Sequence, residues 1–114
     1  MKYLCLVYLA EEHLHSCPDS QCAAYAEQVQ TSGRMVAAEA LHAVQTASTV
    51  RIRNGQMSVT DGPFAETKEQ LAGFYLIEAT DLNEAILVAA KIPPAKYGSV
   101  EVRPVRPLDV ADAA

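Results

Sequence analysis

At 114 residues the chain has the size of one domain, large enough to bury a single core and too small to divide comfortably into two. Half of the residues are apolar, a fifth are charged and the net charge is -5, an ordinary folded composition that argues against nucleic acid as a partner, because phosphate binding needs a concentrated basic face and the nine Lys and Arg are scattered. No apolar run approaches the roughly 18 residues that a membrane span requires, so no membrane partner is expected.

Residues 2–10 carry Tyr, Leu and Val at odd and even positions alike, which predicts a strand buried on both faces. The same stretch reads poorly as a signal peptide, since Glu11 and Glu12 stand where a small-residue cleavage site would be. Cys5, Cys17 and Cys22 are an odd number with no export signal beside them, so reduced thiols, no intramolecular disulfide and a cytoplasmic location are expected. Pro18-Asp19-Ser20 opens a helix over residues 20–32, built on Ala23, Ala24, Tyr25, Ala26 and Val29 and stopped by Gly33. Residues 35–38 predict a short strand, with a helical continuation left open by the alanines.

Residues 46–53 are β-branched and alternating, and Asn54-Gly55 is a strong hairpin signal, so residues 56–60 should return as the partner strand. Asp61-Gly62-Pro63-Phe64 ends that strand in a turn, and Glu66, Lys68 and Glu69 make the following residues a charged connector. Residues 73–79 form another strand that is apolar on both faces and should be central. Asp81-Leu82-Asn83-Glu84 supplies an N-cap acceptor with an acid three positions later, opening a helix through Lys91 that Pro93-Pro94 stops. Residues 100–105 alternate as a final strand, which leaves 1–108 as a single domain and 109–114 as a loose tail.

Two helices can cover only one face of the resulting sheet, while the strands at 2–10 and 73–79 are apolar on both. A monomer would then expose an apolar patch above the few hundred Å² usual for soluble proteins. A homodimer with face-to-face sheets is therefore expected, unless residues 34–45 are helical and cover the second face within one chain.

The run from Val59 through Asp61-Gly62-Pro63-Phe64 to Glu78, continuing in Asp81-Leu82-Asn83-Glu84-Ala85 and Val100-Glu101-Val102-Arg103-Pro104-Val105, resembles the DGPF branch of the YCII-related family over roughly two thirds of the chain. The resemblance implies an α+β, ferredoxin-like sandwich forming a dimeric α+β barrel, an unassigned reaction, and a functional association with a sigma factor. It also implies a His and an Asp in a pocket. Here the 20–32 helix contains no histidine, so Asp61 is the acidic member that carries over and His42 is the histidine that could replace the missing partner.

Asp61 has two readings: a carboxylate that fixes its turn by accepting nearby amides, or an acid or base aimed into a pocket. Arg51 lies on the same side of the hairpin as Arg53, and its guanidinium would suit a carboxylate or phosphate. With Lys68, Tyr8 and Tyr75 it makes up the expected ligand-binding set, although Tyr8 and Tyr75 also suit a core or an interface. His13, His15, Cys17 and Cys22 have zinc-ligand chemistry, but their spacing matches no common zinc motif and a solvent loop explains them as well. No cofactor motif is present and none is expected. The reading is a protein that binds a small polar or anionic metabolite near Asp61, with a small acid–base enzyme using Asp61 as the alternative.

Overall fold

The computed structural model describes residues 1–113. Six strands and two helices follow in the order β1 (Lys2–Ala10), α1 (Asp19–Thr31), β2 (Met35–Ala40), β3 (Ser48–Arg53), β4 (Gln56–Asp61), β5 (Glu69–Glu78), α2 (Leu82–Ala90) and β6 (Ser99–Pro104), with short 3₁₀ turns between some of them. Four strands make one antiparallel sheet in the order β2-β5-β1-β6, while β3 and β4 pair only with each other. This is the ferredoxin-like α+β sandwich with a hairpin inserted between its second and third sheet strands. The 109–114 tail contains a 3₁₀ turn at Val110–Ala113, and residue 114 lies outside the described residues.

Strand periodicity decides which side of the sheet is covered. Tyr3, Cys5 and Val7 of β1 alternate onto one face, with Ile77 opposite Tyr3 and Tyr75 opposite Cys5 on β5. Against them pack Val29 of α1, Ala85, Val88 and Ala89 of α2, and Ile92, which together form the core. The side chains between them, Leu4, Leu6 and Tyr8 on β1 and Phe74 and Leu76 on β5, point to the other face and stay half-buried.

Both helices end where their termination chemistry lies. At the C-terminus of α1, Gly33 adopts φ +82°, its amide donates to Gln30 O at 3.0 Å, and Arg34 N donates to Val29 O at 3.3 Å. That is the Schellman arrangement, which needs a left-handed residue and finds glycine there. Asp81 Oδ1 accepts from Glu84 N at 2.8 Å, capping α2, while the Glu84 carboxylate reaches back to Thr80 N at 3.3 Å and Thr80 Oγ1 at 3.0 Å. Tyr25 Oη donates to Val88 O at 2.7 Å and so ties α1 to α2.

Residues 35–40 are a strand, and the helical cover left open by the alanines does not form. The Schellman turn redirects the chain at Gly33, and β2 then finds β5 as an edge partner. Strand β5 begins at Glu69, earlier than the charged connector suggested, because Glu69 and Gln70 pair with Ala10 and Leu9. Two bulges interrupt the pairing of β5: Ala72 is extra opposite Val7 and Tyr8, and Val36 of β2 is extra opposite Leu76 and Ile77.

The hairpin turns through Asn54 at φ +53° and Gly55 at φ +73°, the primed geometry that Asn-Gly favours. Val50 faces Val59 and Ile52 faces Met57 on one side, while Arg51 and Arg53 lie opposite Ser58 and Gln56 on the other. The apolar side is uncovered, with Val50, Ile52, Met57 and Val59 exposed by 59%, 65%, 70% and 56%. The radius of gyration of 16.3 Å exceeds the ~13 Å expected for a compact domain of this length, as a protruding arm requires.

Candidate functional site

A cavity of about 610 Å³ lies between the start of α1, the end of β2 and the start of β5, on the helix-covered side. Val7, Leu9, Ala26 and Ile92 give it apolar walls; His15, Asp19, Glu39, His42, Gln70 and Tyr75 supply polar groups, and Cys17 and Cys22 the thiols. Its size and its mixture of an apolar lining with a few convergent polar groups are those of a small-molecule site. Lys and Arg are absent from the lining.

The irregularities of β5 shape this space. At the bulge itself, Ala72 O accepts from Leu41 N at 2.9 Å, which folds the chain after β2 over the start of β5 and carries His42 into the wall. Gly73 lets β2 approach closely, because a Cβ there would stand 2.8 Å from the backbone oxygen of Glu39. Pro18 starts α1 beside the cavity, and Asp19, Cys22, Ala23 and Ala26 of its first turns line it, Asp19 and Ala23 remaining exposed.

Burial pushes the Tyr75 phenol up to about 12, and its hydroxyl donates to Cys22 O at 3.5 Å. Burial likewise pushes the Cys22 thiol up to about 11, reinforced by its hydrogen bond with Cys17 and by the charge of Asp19. Both groups stay protonated near neutral pH, so they offer the cavity neutral O–H and S–H groups rather than anions.

Of the residues expected from sequence, His42 and Tyr75 line this cavity. Asp61 does not: it is the exposed last residue of β4, at the base of the hairpin. The turn after it is held by Gly62 N donating to Ala47 O at 2.7 Å and by Thr49 Oγ1 donating to Gly62 O at 2.9 Å. Gly62 has φ +101°, which accounts for the glycine of the motif. The fold thus does not gather Asp61 and His42 into one cavity wall, because β3 and β4 make no ladder with the main sheet. Arg51 lies with its guanidinium 5.2 Å from the Phe64 ring centroid, Lys68 is exposed, and Tyr8 belongs to the uncovered sheet face.

Of the four possible zinc ligands, His15, Cys17 and Cys22 line the cavity, with the two Sγ atoms 3.6 Å apart, while His13 turns to other partners. His13 stacks on Tyr97 with centroids 5.8 Å apart, and its Nδ1 lies 3.1 Å from Ser16 Oγ. Among the described residues no three His, Cys, Asp or Glu side chains converge as a metal site would need. Asp19, Glu39 and Gln70 escaped the sequence reading. The one signal for their neighbourhood was Gly73 inside an otherwise aromatic and aliphatic strand, which marks close backbone approach.

The family model for the YCII-related domain matches residues 1–109. The chain belongs to the YCII-related family. A curated relative, the uncharacterized protein R00369 of Rhizobium meliloti (strain 1021), is 52% identical over 61 residues, covering 52% of this chain and 49% of the relative. The match thus spans about half the length of each. Among solved structures, the 5-chloro-2-hydroxyhydroquinone dehydrochlorinase TftG of Burkholderia phenoliruptrix AC1100, in complex with 2,5-dihydroxybenzoquinone, superposes with a TM-score of 0.55 at 14% identity, covering 93% of this chain and 94% of that one. That likeness establishes the shared fold. No helix among the described residues of this YCII-related chain is long and apolar enough to cross a membrane.

A second cavity, of about 560 Å³, opens between α1 and α2. Most of its polar groups already have structural partners: Arg34 pairs with Glu84 at 3.3 Å, Asp81 caps α2, and Tyr25 is bonded to Val88. The first cavity is the better candidate.

Proposed function

We propose that this YCII-related protein binds a small uncharged molecule with a ring carrying hydroxyl or carbonyl groups, in the cavity lined by His42, Gln70 and Tyr75. The observation that carries this reading is the composition of the wall: apolar flanks for a ring, imidazole, amide and protonated hydroxyl groups for its oxygens, and no Lys or Arg to neutralise an anion. The polar alternative of the sequence reading is thereby preferred to the anionic one, and Arg51 is left outside the site. A hydroxylated ring compound is also what the fold neighbour TftG holds in its complex. Asp61, in this reading, serves the turn after β4.

The test is calorimetric titration under reducing conditions with hydroquinone and with 2,5-dihydroxybenzoate, which differ by one carboxylate. Hydroquinone should bind, His42→Ala should weaken it by about tenfold, the equivalent of one hydrogen bond, and Arg51→Ala should change nothing. Tighter binding of the carboxylate that depends on Arg51 overturns the proposal.

Proton transfer is the second reading, favoured by the two imidazoles of His15 and His42 in one wall. His42 would then act as acid or base on the bound ring, with Asp19 or Glu39 as the carboxylate of the same cavity.

The protein works, in the same proposal, as a homodimer. Leu4, Leu6, Tyr8, Phe74 and Leu76 lie on a sheet face that no helix covers, and face-to-face pairing with a second copy would bury them.

A further inference from the structure

We propose that Cys17 and Cys22 are a peroxide-oxidisable thiol pair that closes to a disulfide in the cavity wall. The two Sγ atoms stand 3.6 Å apart, already in contact, at the entrance to α1, where Cys17 precedes Pro18 and Cys22 occupies the first turn. Cys17 is buried and Cys22 half-buried, and both line the cavity, so a small oxidant that enters it meets the pair. Cys5 is different: it is buried in the core on β1. The reduced thiols expected from sequence are the resting form of this pair, in which Cys17 Sγ also lies 3.7 Å from Gln21 Oε1 and 3.8 Å from Pro18 O.

The chemistry balances with hydrogen peroxide as oxidant. The sulfur of Cys22, the more accessible of the two, attacks one peroxide oxygen; the O–O bond breaks, one water leaves and Cys22 becomes a sulfenic acid. The sulfur of Cys17 then attacks that of Cys22, the S–O bond breaks and a second water leaves. Two thiols and one peroxide thus give one disulfide and two waters. Shortening the separation to a bond of ~2.05 Å draws the residue before Pro18 toward the first turn of α1 and replaces two S–H groups in the wall by a disulfide.

The groups that act on the pair are Asp19 and Gln21 on α1 and Tyr75 on β5, and His15, Glu39 and His42 line the same cavity. The burial and the Asp19 charge that push the Cys22 thiol up to about 11 keep its thiolate scarce near neutral pH. Closure should therefore be slow near pH 7 and accelerate by about tenfold per unit as pH rises, until it levels near the thiol's own pKa.

The experiment uses the whole chain, which has three cysteines. Treatment with stoichiometric hydrogen peroxide should lower the thiols titrated after denaturation from three to one, as two cysteines are lost to one bridge. Fragment-ion mass spectrometry should place the bridge between Cys17 and Cys22, and dithiothreitol should restore all three. Cys17→Ser and Cys22→Ser should each abolish the intramolecular bridge. Three surviving thiols under conditions that oxidise free glutathione overturn the proposal. So does a bridge that includes Cys5 or joins two chains, or accumulation of sulfinic acid on Cys22 in place of the disulfide.

Discussion

Adding one methyl group at Gly73 tests the account of the cavity, because this residue both lines it and sets how closely β2 approaches β5. A Cβ at this position would lie 2.8 Å from the backbone oxygen of Glu39 and 3.4 Å from Ala40 Cα, against neighbours that are main chain and cannot rotate aside. Gly73→Ala must therefore push the end of β2 outward and stretch the ladder where Ala40 pairs with Gly73. Overpacking of this kind costs about 1–3 kcal/mol, offset by about 0.4–1 kcal/mol from the lower entropy of the unfolded chain. For a domain near 100 residues, a net loss of 1 kcal/mol lowers Tm by roughly 4–8 °C, which thermal denaturation followed by far-ultraviolet circular dichroism reads directly. Gly98→Ala supplies the internal comparison, because its Cβ would lie only 2.0 Å from the Tyr8 carbonyl oxygen and should destabilise more. A Gly73→Ala protein as stable as the parent, or a Gly98→Ala protein less affected than Gly73→Ala, would refute the argument from close approach.

Tyr25→Phe removes the hydroxyl that donates to Val88 O and should cost about 0.5–1.5 kcal/mol in urea denaturation, without altering the oligomeric state. In alkali the fold should weaken. Burial raises Cys5 and Cys22 from 9.0 to about 11 and Tyr75 from 10.0 to about 12, so the unfolded chain loses these protons first. Their contribution is full below the unfolded values and fades as pH rises through the folded ones, so urea midpoints should fall progressively from about pH 9 to pH 12; midpoints that rise across this window would contradict it. Light scattering at micromolar concentration should give the mass of a dimer, and Leu6→Lys on the uncovered sheet face should shift it toward the monomer while a fold built on the opposite face persists.

What could be read from sequence was whatever neighbours in the chain decide. Asn54-Gly55, Gly33 and Asp81 each name a turn, a helix end and a cap, because the backbone angles or the acceptor they supply act within a few residues. The apolar residues on both faces of the 73–79 strand likewise marked β5 as central, and it lies inside the sheet beside β1. The candidate cavity was less legible. His42 and Tyr75 were singled out for other reasons and fall in the cavity, whereas Asp61, Arg51 and Lys68 belong to the hairpin or the connector after it. Nothing local specifies that β3 and β4 stand off the main sheet, or that the bulges at Val36 and Ala72 re-aim the chain so that Glu39, His42 and Gln70 share a wall. Those placements depend on pairings between segments far apart in the chain, such as Ala40 with Gly73 and Val7 with Gly73, where a one-residue shift exchanges the two faces of a strand.

The motif and the cavity are nevertheless joined by a short path of hydrogen bonds. Gly62, in the left-handed turn that only a glycine adopts without strain, donates to Ala47 O at 2.7 Å. Ala47 N donates to Val44 O at 3.0 Å, and within the same 3₁₀ turn Thr46 Oγ1 donates back to Ala43 O at 2.6 Å. Ala43 and Val44 line the cavity directly after His42. The Asp61-Gly62-Pro63-Phe64 turn is therefore hydrogen-bonded to the segment that carries His42 and braces a wall of the candidate cavity from outside. A residue in that position can matter to binding without touching the ligand. It follows that Gly62→Ala, strained by its φ of +101° with open space around the new methyl, should loosen the wall at His42 more than Asp61→Asn does, since the asparagine keeps the size of the side chain and leaves the glycine clamp intact.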